Sequence, residues 1–115
     1  MQNINKSLEE KKILITGASG YIGMSLYKNL KKFSNNILAT TRDVKLINSN
    51  DDFQKGNYNK KSFWSDAVDY ADVIYHLSAD TSLIVDEASV KKNFETNVLP
   101  VNLFIQESKR KQKKI

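Results

Sequence analysis

Lys12-Ile13-Leu14-Ile15-Thr16-Gly17-Ala18-Ser19-Gly20-Tyr21-Ile22-Gly23 is the stretch whose reading decides the fold. Residues 12–16 are short, apolar and rich in β-branched side chains, and they run straight into a glycine. That is the pattern of a buried strand. Beyond the loop, Ile22, Leu26, Leu30 and Phe33 recur at spacings of 4, 4 and 3, which predicts a helix burying that face. Between strand and helix lies G-x-x-G-x-x-G, holding three of the chain's four glycines. In such a loop the first glycine permits the tight turn out of the strand. The second lets the backbone approach a pyrophosphate, and the third lets the helix pack close to the sheet. The helix N-terminus adds free N–H groups and a partial positive charge. A glycine turn with no ligand is the competing reading; the setting, strand before and helix after, weighs against it.

Working outward, the same alternation continues. Ser34-Asn35-Asn36 reads as a stop and turn, and Ile37-Leu38-Ala39-Thr40-Thr41 as a second strand. Residues 43–58 are polar, with Asn48-Ser49-Asn50-Asp51-Asp52 a clear loop and a weak strand signal at 52–55. Lys60 to Tyr70 reads as a helix with Phe63, Trp64, Ala67 and Val68 on one side. Asp72 to Ser78 is a further apolar strand. Asp86 to about Lys111 reads as one long helix, with Val90, Phe94, Val98, Val101 and Ile105 along one face. Apolar strands alternating with amphipathic helices predict an α/β fold with a parallel sheet. The expected organisation is a loose segment over 1–11, one domain over 12–108 and a basic tail over 109–115.

Composition narrows the function classes. The chain has 115 residues, 40% apolar and 27% charged, with one His, one Pro and no Cys. That excludes a disulfide-stapled scaffold, and one His without Cys is too few ligands for a zinc site. No apolar run approaches the roughly 20 residues of a membrane span, and the N-terminus has no apolar signal core. The expected setting is cytoplasmic, with no membrane partner. The net charge of +5 arises from Lys109, Arg110, Lys111, Lys113 and Lys114 in the last seven positions; the other 108 residues hold thirteen charges of each sign. A nucleic-acid module spreads basic charge over a folded face, so no nucleic-acid partner is expected. The run reads as a solvated helix end or frayed tail, suited to the negative end of a helix dipole. Two acidic pairs, Asp51-Asp52 and Asp86-Glu87, read as solvated or capping rather than as paired catalytic acids. His76, on a buried strand, reads as a structural histidine.

The loop Thr16-Gly17-Ala18-Ser19-Gly20-Tyr21-Ile22-Gly23 resembles the cofactor loop of the extended short-chain dehydrogenase/reductase family, the NAD(P)-dependent sugar epimerases, dehydratases and reductases. Ala71-Asp72-Val73-Ile74-Tyr75-His76-Leu77-Ser78-Ala79 is similar to that family's fourth-strand segment. Lys55-Gly56-Asn57-Tyr58 falls where the family has Gly-Asp-aliphatic. Asn93-Phe94-Glu95-Thr96-Asn97-Val98-Leu99 is similar to its helix bearing N-x-x-G-T. The resemblance covers about residues 12–108. It implies a Rossmann-type parallel sheet with flanking helices, truncated after the fourth strand and its helix. It also implies cofactor roles: Gly17, Ser19, Gly20, Tyr21, Ile22 and Gly23 around the pyrophosphate, Thr41 and Arg42 at the adenosine ribose, Asn57 and Tyr58 beside the adenine. Leu77, Ser78 and Ala79 would pass under the nicotinamide side, and Asn97 would buttress the site.

Departures from the family's pattern refine these expectations. An NAD-selective site has an acid at the Thr41 position; here Thr41 is followed by Arg42, whose guanidinium suits a 2′-phosphate and favours NADP over NAD. Asp43 follows at once, so a shift of one residue in the strand end reverses that preference. Asn57 replaces an Asp. Pro100 replaces a Gly and is expected to kink the last helix. The family's acid/base, a Tyr-x-x-x-Lys pair, has one match, Tyr27 to Lys31, on the first helix among positions expected to face solvent; it reads as chance. Two functions follow. The chain is the dinucleotide-binding part of an epimerase, dehydratase or reductase acting on a nucleotide sugar once the missing C-terminal part is supplied, or it is a non-catalytic remnant binding dinucleotide weakly or not at all. Either way the fourth strand presents an open apolar edge that invites self-association.

Overall fold

Ile13–Thr16 forms β1, one of the two interior strands of the sheet, and its four side chains are fully buried. In the computed structural model, which describes residues 10–42, 53–79 and 86–115, the chain continues through α1 (Tyr21–Leu30), β2 (Ile37–Thr41), β3 (Phe53–Lys55), α2 (Lys61–Tyr70) and β4 (Val73–His76). It ends in α3 (Glu87–Asn93), a π-helical turn (Phe94–Val98) and α4 (Leu99–Arg110). The strands form one parallel sheet in the order β3-β2-β1-β4. This is the expected Rossmann-like α/β architecture. The weak strand signal at 52–55 is a real strand of three residues. Residues 1–9, 43–52 and 80–85, which include Asp43 and the Asp51-Asp52 pair, lie outside the described residues.

Strand alternation sorts the core into two layers. Ile13, Ile15, Ala39 and Phe53 face α1 and meet Tyr27 and Leu30. Leu14 faces the other way, with Leu38 and Ile74 beside it, and meets Trp64, Ala67 and Ala71 of the α2 segment together with Leu103 and Phe104 of α4. The sheet is therefore covered by helices on both faces, as a parallel sheet requires.

The helices differ from the sequence reading in which side chains they bury. On α1 the buried set is Gly23, Tyr27 and Leu30; Ile22 is 67% exposed and Phe33 39%. Leu30 is buried and Leu26 packs against the core as expected, but at the first turn Gly23, not Ile22, lies on the loop: a Cβ there would collide with the Gly17 carbonyl oxygen and Ala18 Cα. Tyr27 then packs edge-on to Phe53, with ring centroids 4.8 Å apart. So Tyr27 is not solvent-facing but part of the core, while Lys31 is exposed with its Nζ 5.6 Å from the Tyr27 ring. On α2 the expected residues do pack inward, Trp64 being 1% exposed.

The last helix, expected as one long element kinked at Pro100, is interrupted by a π-turn just ahead of that proline. Asp86 caps α3 by accepting from the Ser89 N–H at 2.7 Å, but the helix passes through the π-turn before α4 begins. Pro100 lies in the first turn of α4. Proline has no N–H to give the carbonyl four residues back and its ring crowds that carbonyl; a widened turn just before it relieves both problems. The stripe Val90, Phe94, Val98, Val101 and Ile105 does not form the buried face; these side chains are 40–59% exposed. Packing instead uses Leu103, Phe104 and Glu107 against α2.

Nor is the basic run frayed. Lys111 Nζ pairs with Asp69 at 2.7 Å and donates to the Ser65 carbonyl at 2.6 Å. Arg110 donates twice to Glu107, both at 3.0 Å. Glu107 is 1% exposed, and the Arg110 hydrogen bonds hold its carboxyl below the usual carboxylate range. Part of the basic excess therefore anchors α4 to α2. Among the described residues no helix is long and apolar enough to cross a membrane.

Candidate functional site

The site sits at the C-terminal ends of the strands, where β1 enters the glycine loop. Gly17 has φ +67°, and a Cβ there would lie 2.8 Å from the Ser78 backbone nitrogen. It must be glycine on two counts, conformation and close approach. Gly23 must be glycine because of the loop beneath it. Gly20 is different. Its φ is −74°, open to any residue, and a Cβ there would meet only the Gly17 carbonyl oxygen, at 3.4 Å. Among the described residues nothing requires Gly20 to lack a side chain, and Gly20 is exposed.

Hydrogen-bond accounting shows which loop donors remain. The Gly17 N–H donates to the Tyr58 hydroxyl at 3.0 Å. The Ala18 N–H donates to the Thr40 carbonyl at 2.9 Å, and the Gly20 N–H to the Gly17 carbonyl at 3.1 Å. Helix α1 begins at Tyr21 with Gly20 as its cap and no capping side chain. Its first N–H groups, on Tyr21 and Ile22, have no acceptor within the helix and no backbone acceptor among the described residues, and lie at its positive end. This is the anion-binding geometry the sequence predicts.

Two threonine hydroxyls pin the loop from either side. Thr16 Oγ1 accepts from the Leu77 N–H at 3.0 Å and the Ser78 N–H at 3.3 Å. With its lone pairs engaged, its proton goes to His76 Nδ1, 2.7 Å away. That assigns His76 the neutral tautomer with the proton on Nε2, and burial lowers its pKa further. His76 is thus a satisfied structural residue. On the other side Thr40 Oγ1 donates to the Ile15 carbonyl at 2.8 Å and lies 3.0 Å from the Tyr58 hydroxyl.

A cavity of 170 Å³ opens beside the loop, lined by Arg42, Asn57, Tyr58, Ser78, Thr96 and Pro100 among others. It gathers four of the sequence-predicted residues. Thr41 is 2% exposed and its hydroxyl is 2.6 Å from Ser19 Oγ, so it ties the tip of β2 to the loop. Arg42 is exposed beyond it and reaches Thr96 Oγ1 at 3.4 Å. Tyr58 is 4% exposed; its ring is enclosed by Phe63, Trp64 and His76. Leu77 and Ala79 are exposed on the segment leaving β4.

Asn97 is not brought to this cavity. It lines a separate shallow groove with Val98, Val101, Asn102 and Ile105. From that segment Thr96, 7% exposed, is the residue at the cavity. Sequence reasoning missed Thr96, and also Lys60, which lines the rim. The signal for Thr96 was present only indirectly: Pro100, four residues on, enforces the π-turn that sets which side chain of 94–98 turns inward. Among the described residues no cluster of His, Asp or Glu could hold a metal ion.

A sequence model described as the NAD dependent epimerase/dehydratase family matches residues 13–114. No curated protein gives a significant match. Solved structures agree in fold. Pen from Bacillus thuringiensis superposes with a TM-score of 0.77 at 18% identity, over 93% of this chain and 36% of that one. MoeE5 in complex with UDP-glucuronic acid and NAD gives 0.72 at 21% identity, over 90% and 34%. Uronate dehydrogenase from Agrobacterium tumefaciens, as a variant complexed with NAD, gives 0.68 at 14% identity, over 87% and 37%. The chain spans about a third of the length of these proteins.

Proposed function

Since the chain belongs to the NAD-dependent epimerase/dehydratase family, we propose that it binds a nicotinamide dinucleotide across the glycine loop, as the cofactor portion of an enzyme acting on a nucleotide sugar. The observation that supports this most is Gly20: a glycine with no internal reason to be one, beside the unpaired N–H groups of Tyr21 and Ile22. A pyrophosphate is a ligand that needs both bare backbone and donors. The residues fit the group. When bound, the nicotinamide supplies a hydride acceptor or donor. Gly17 and Gly23 shape the loop, while Ser19, Gly20, Tyr21 and Ile22 face the phosphates. Asn57, at the cavity, takes the adenosine side, and Leu77, Ser78 and Ala79 pass toward the nicotinamide. Thr41 does not read the ribose directly; its hydroxyl orients Ser19.

Arg42 gives the reading its finer part. No acid occupies the Thr41 position, and a guanidinium at the rim, with Lys60 nearby on the same cavity, favours the 2′-phosphate of NADP. Arg42→Ala is expected to weaken NADPH binding about tenfold and leave NADH nearly unchanged, since one charge-assisted contact is worth roughly 1.5 kcal/mol or more. Equal losses for both cofactors would remove the preference for NADP.

The same reading leaves proton transfer outside these residues. In the one Tyr-x-x-x-Lys, Tyr27 packs on Phe53 across the sheet from the Trp64 layer and Lys31 is exposed. Neither residue lines the cavity beside the loop. A chain that binds dinucleotide without turning it over is therefore the expected behaviour of these 115 residues alone, in a cytoplasmic setting. Self-association is proposed through β4, which is a margin of the sheet with half-buried Val73, Ile74 and Tyr75; a monomer across a wide concentration range in analytical ultracentrifugation would refute it.

A further inference from the structure

Tyr58 stands where the resemblance has an aliphatic residue, and the hydroxyl it adds is not idle. Thr40 Oγ1 gives its proton to the Ile15 carbonyl, which can only accept. The contact between Thr40 and Tyr58 must then run from the phenol to the threonine oxygen. The phenol oxygen in turn accepts from the Gly17 N–H. The direction of the whole chain is fixed: Gly17 N–H to Tyr58, Tyr58 to Thr40, Thr40 to the β1 backbone. The ring is held in place to make it. Trp64 Nε1 donates to the Tyr58 carbonyl at 2.7 Å, and Phe63 and Trp64 wall the ring. Gly56 is bare where a Cβ would strike the Tyr58 ring. Burial raises the phenol pKa, so the donor proton stays in place at neutral pH.

We propose that Tyr58 is a positioning residue for the glycine loop: its hydroxyl holds Gly17 in the left-handed turn, presetting the Tyr21 and Ile22 donors before the dinucleotide arrives. Nothing in the family pattern assigns this residue that task. The inference rests on the cofactor reading above. Without the hydroxyl, Gly17 has a free N–H at the base of the loop, and the loop must be ordered by the ligand at the ligand's expense.

The test uses Tyr58→Phe, Thr40→Val and Thr40→Ser in the full chain, titrated with NADPH and NADH by fluorescence, with hydrogen exchange followed at the Gly17 amide. Tyr58→Phe and Thr40→Val are each expected to weaken binding about tenfold, the size of one buried hydrogen bond lost. The double variant should be no worse than either single one, because both break the same chain. Thr40→Ser, which keeps the hydroxyl, should bind like the wild type. Gly17 amide exchange should quicken about tenfold in Tyr58→Phe without ligand. Should Tyr58→Phe fail to fold, the Thr40 pair decides the matter alone. Wild-type affinity in Tyr58→Phe, with the Gly17 amide still protected, would overturn the proposal. If the wild type binds neither dinucleotide, the cofactor reading falls. The exchange rate then judges Tyr58 by itself: faster exchange upholds its grip on the loop, and unchanged exchange overturns it.

Discussion

The glycine loop and the last helical segment are opposites. At the loop, small polar groups are matched inside the protein: the N–H groups of Gly17, Ala18 and Gly20 and the hydroxyls of Thr16, Ser19, Thr40, Thr41 and Tyr58 all have partners. What stays open is the helix start at Tyr21 and Ile22. Along the last segment the arrangement differs. Glu107, Arg110 and Lys111 make internal polar contacts beside Leu103 and Phe104, while Phe94 and Val98 stay half exposed. The loop is shaped from within and leaves only donors to the outside. The helical stripe leaves apolar surface outside and contributes little to its own fold.

The largest expected effect lies at the loop. Gly17→Ala puts a Cβ against the Ser78 and Leu77 backbone at a positive φ, and backbone cannot yield as a side chain does. We expect a loss of about 3 kcal/mol or more in unfolding free energy, measured by urea denaturation. A loss under about 1 kcal/mol would mean the loop is far softer than its hydrogen bonds imply.

A smaller effect follows from His76. Its pKa is lowered by burial in the folded chain, so folding favours the neutral ring. That contribution is complete above the unfolded value of about 6.5 and fades as pH falls below it, by up to about 1.4 kcal/mol per pH unit. Urea midpoints should drop between pH 7.5 and 5.5 more steeply in the wild type than in His76→Gln. Parallel curves would show that His76 titrates as it does in the unfolded chain.

The smallest effect is expected on the stripe. Phe94→Ser and Val98→Ser should each change stability by no more than about 0.5 kcal/mol, as exposed positions do. A loss of 2 kcal/mol at either would place that side chain in a core and erase the contrast drawn above.

The same contrast explains what the sequence disclosed. Strands were legible because burial on both faces leaves uninterrupted apolar runs: Ile13 to Thr16 is such a run. The three-residue β3 was faint because only Phe53 of it is buried. Helix faces were less legible, since spacing gives periodicity but not phase. On α1 a glycine, not an isoleucine, sits on the loop and Tyr27 joins the buried face, although Leu26 and Leu30 pack inward as their spacing predicts. The stripe from Val90 to Ile105 has proper helical spacing, yet the contact with α2 was won by Leu103, Phe104 and the buried Glu107 carboxylate, which pairs with a half-exposed Arg110. At the site, backbone roles followed from the glycine spacing, whereas side-chain roles depended on three-dimensional placement. Tyr58 lies buried with its hydroxyl accepting from the Gly17 N–H, and Thr96 reaches the cavity from a π-turn just ahead of Pro100.

Gly20 offers the most direct test of the account. Wild type and Gly20→Ala should be titrated with NADPH and NADH by isothermal calorimetry, with thermal melts alongside. The account predicts saturable binding in the wild type, binding at least about tenfold weaker in Gly20→Ala, and melting temperatures that coincide, because no internal atom resists the added methyl group. Equal affinity in the two proteins, or no binding by the wild type, would contradict the claim that this loop is built for a dinucleotide.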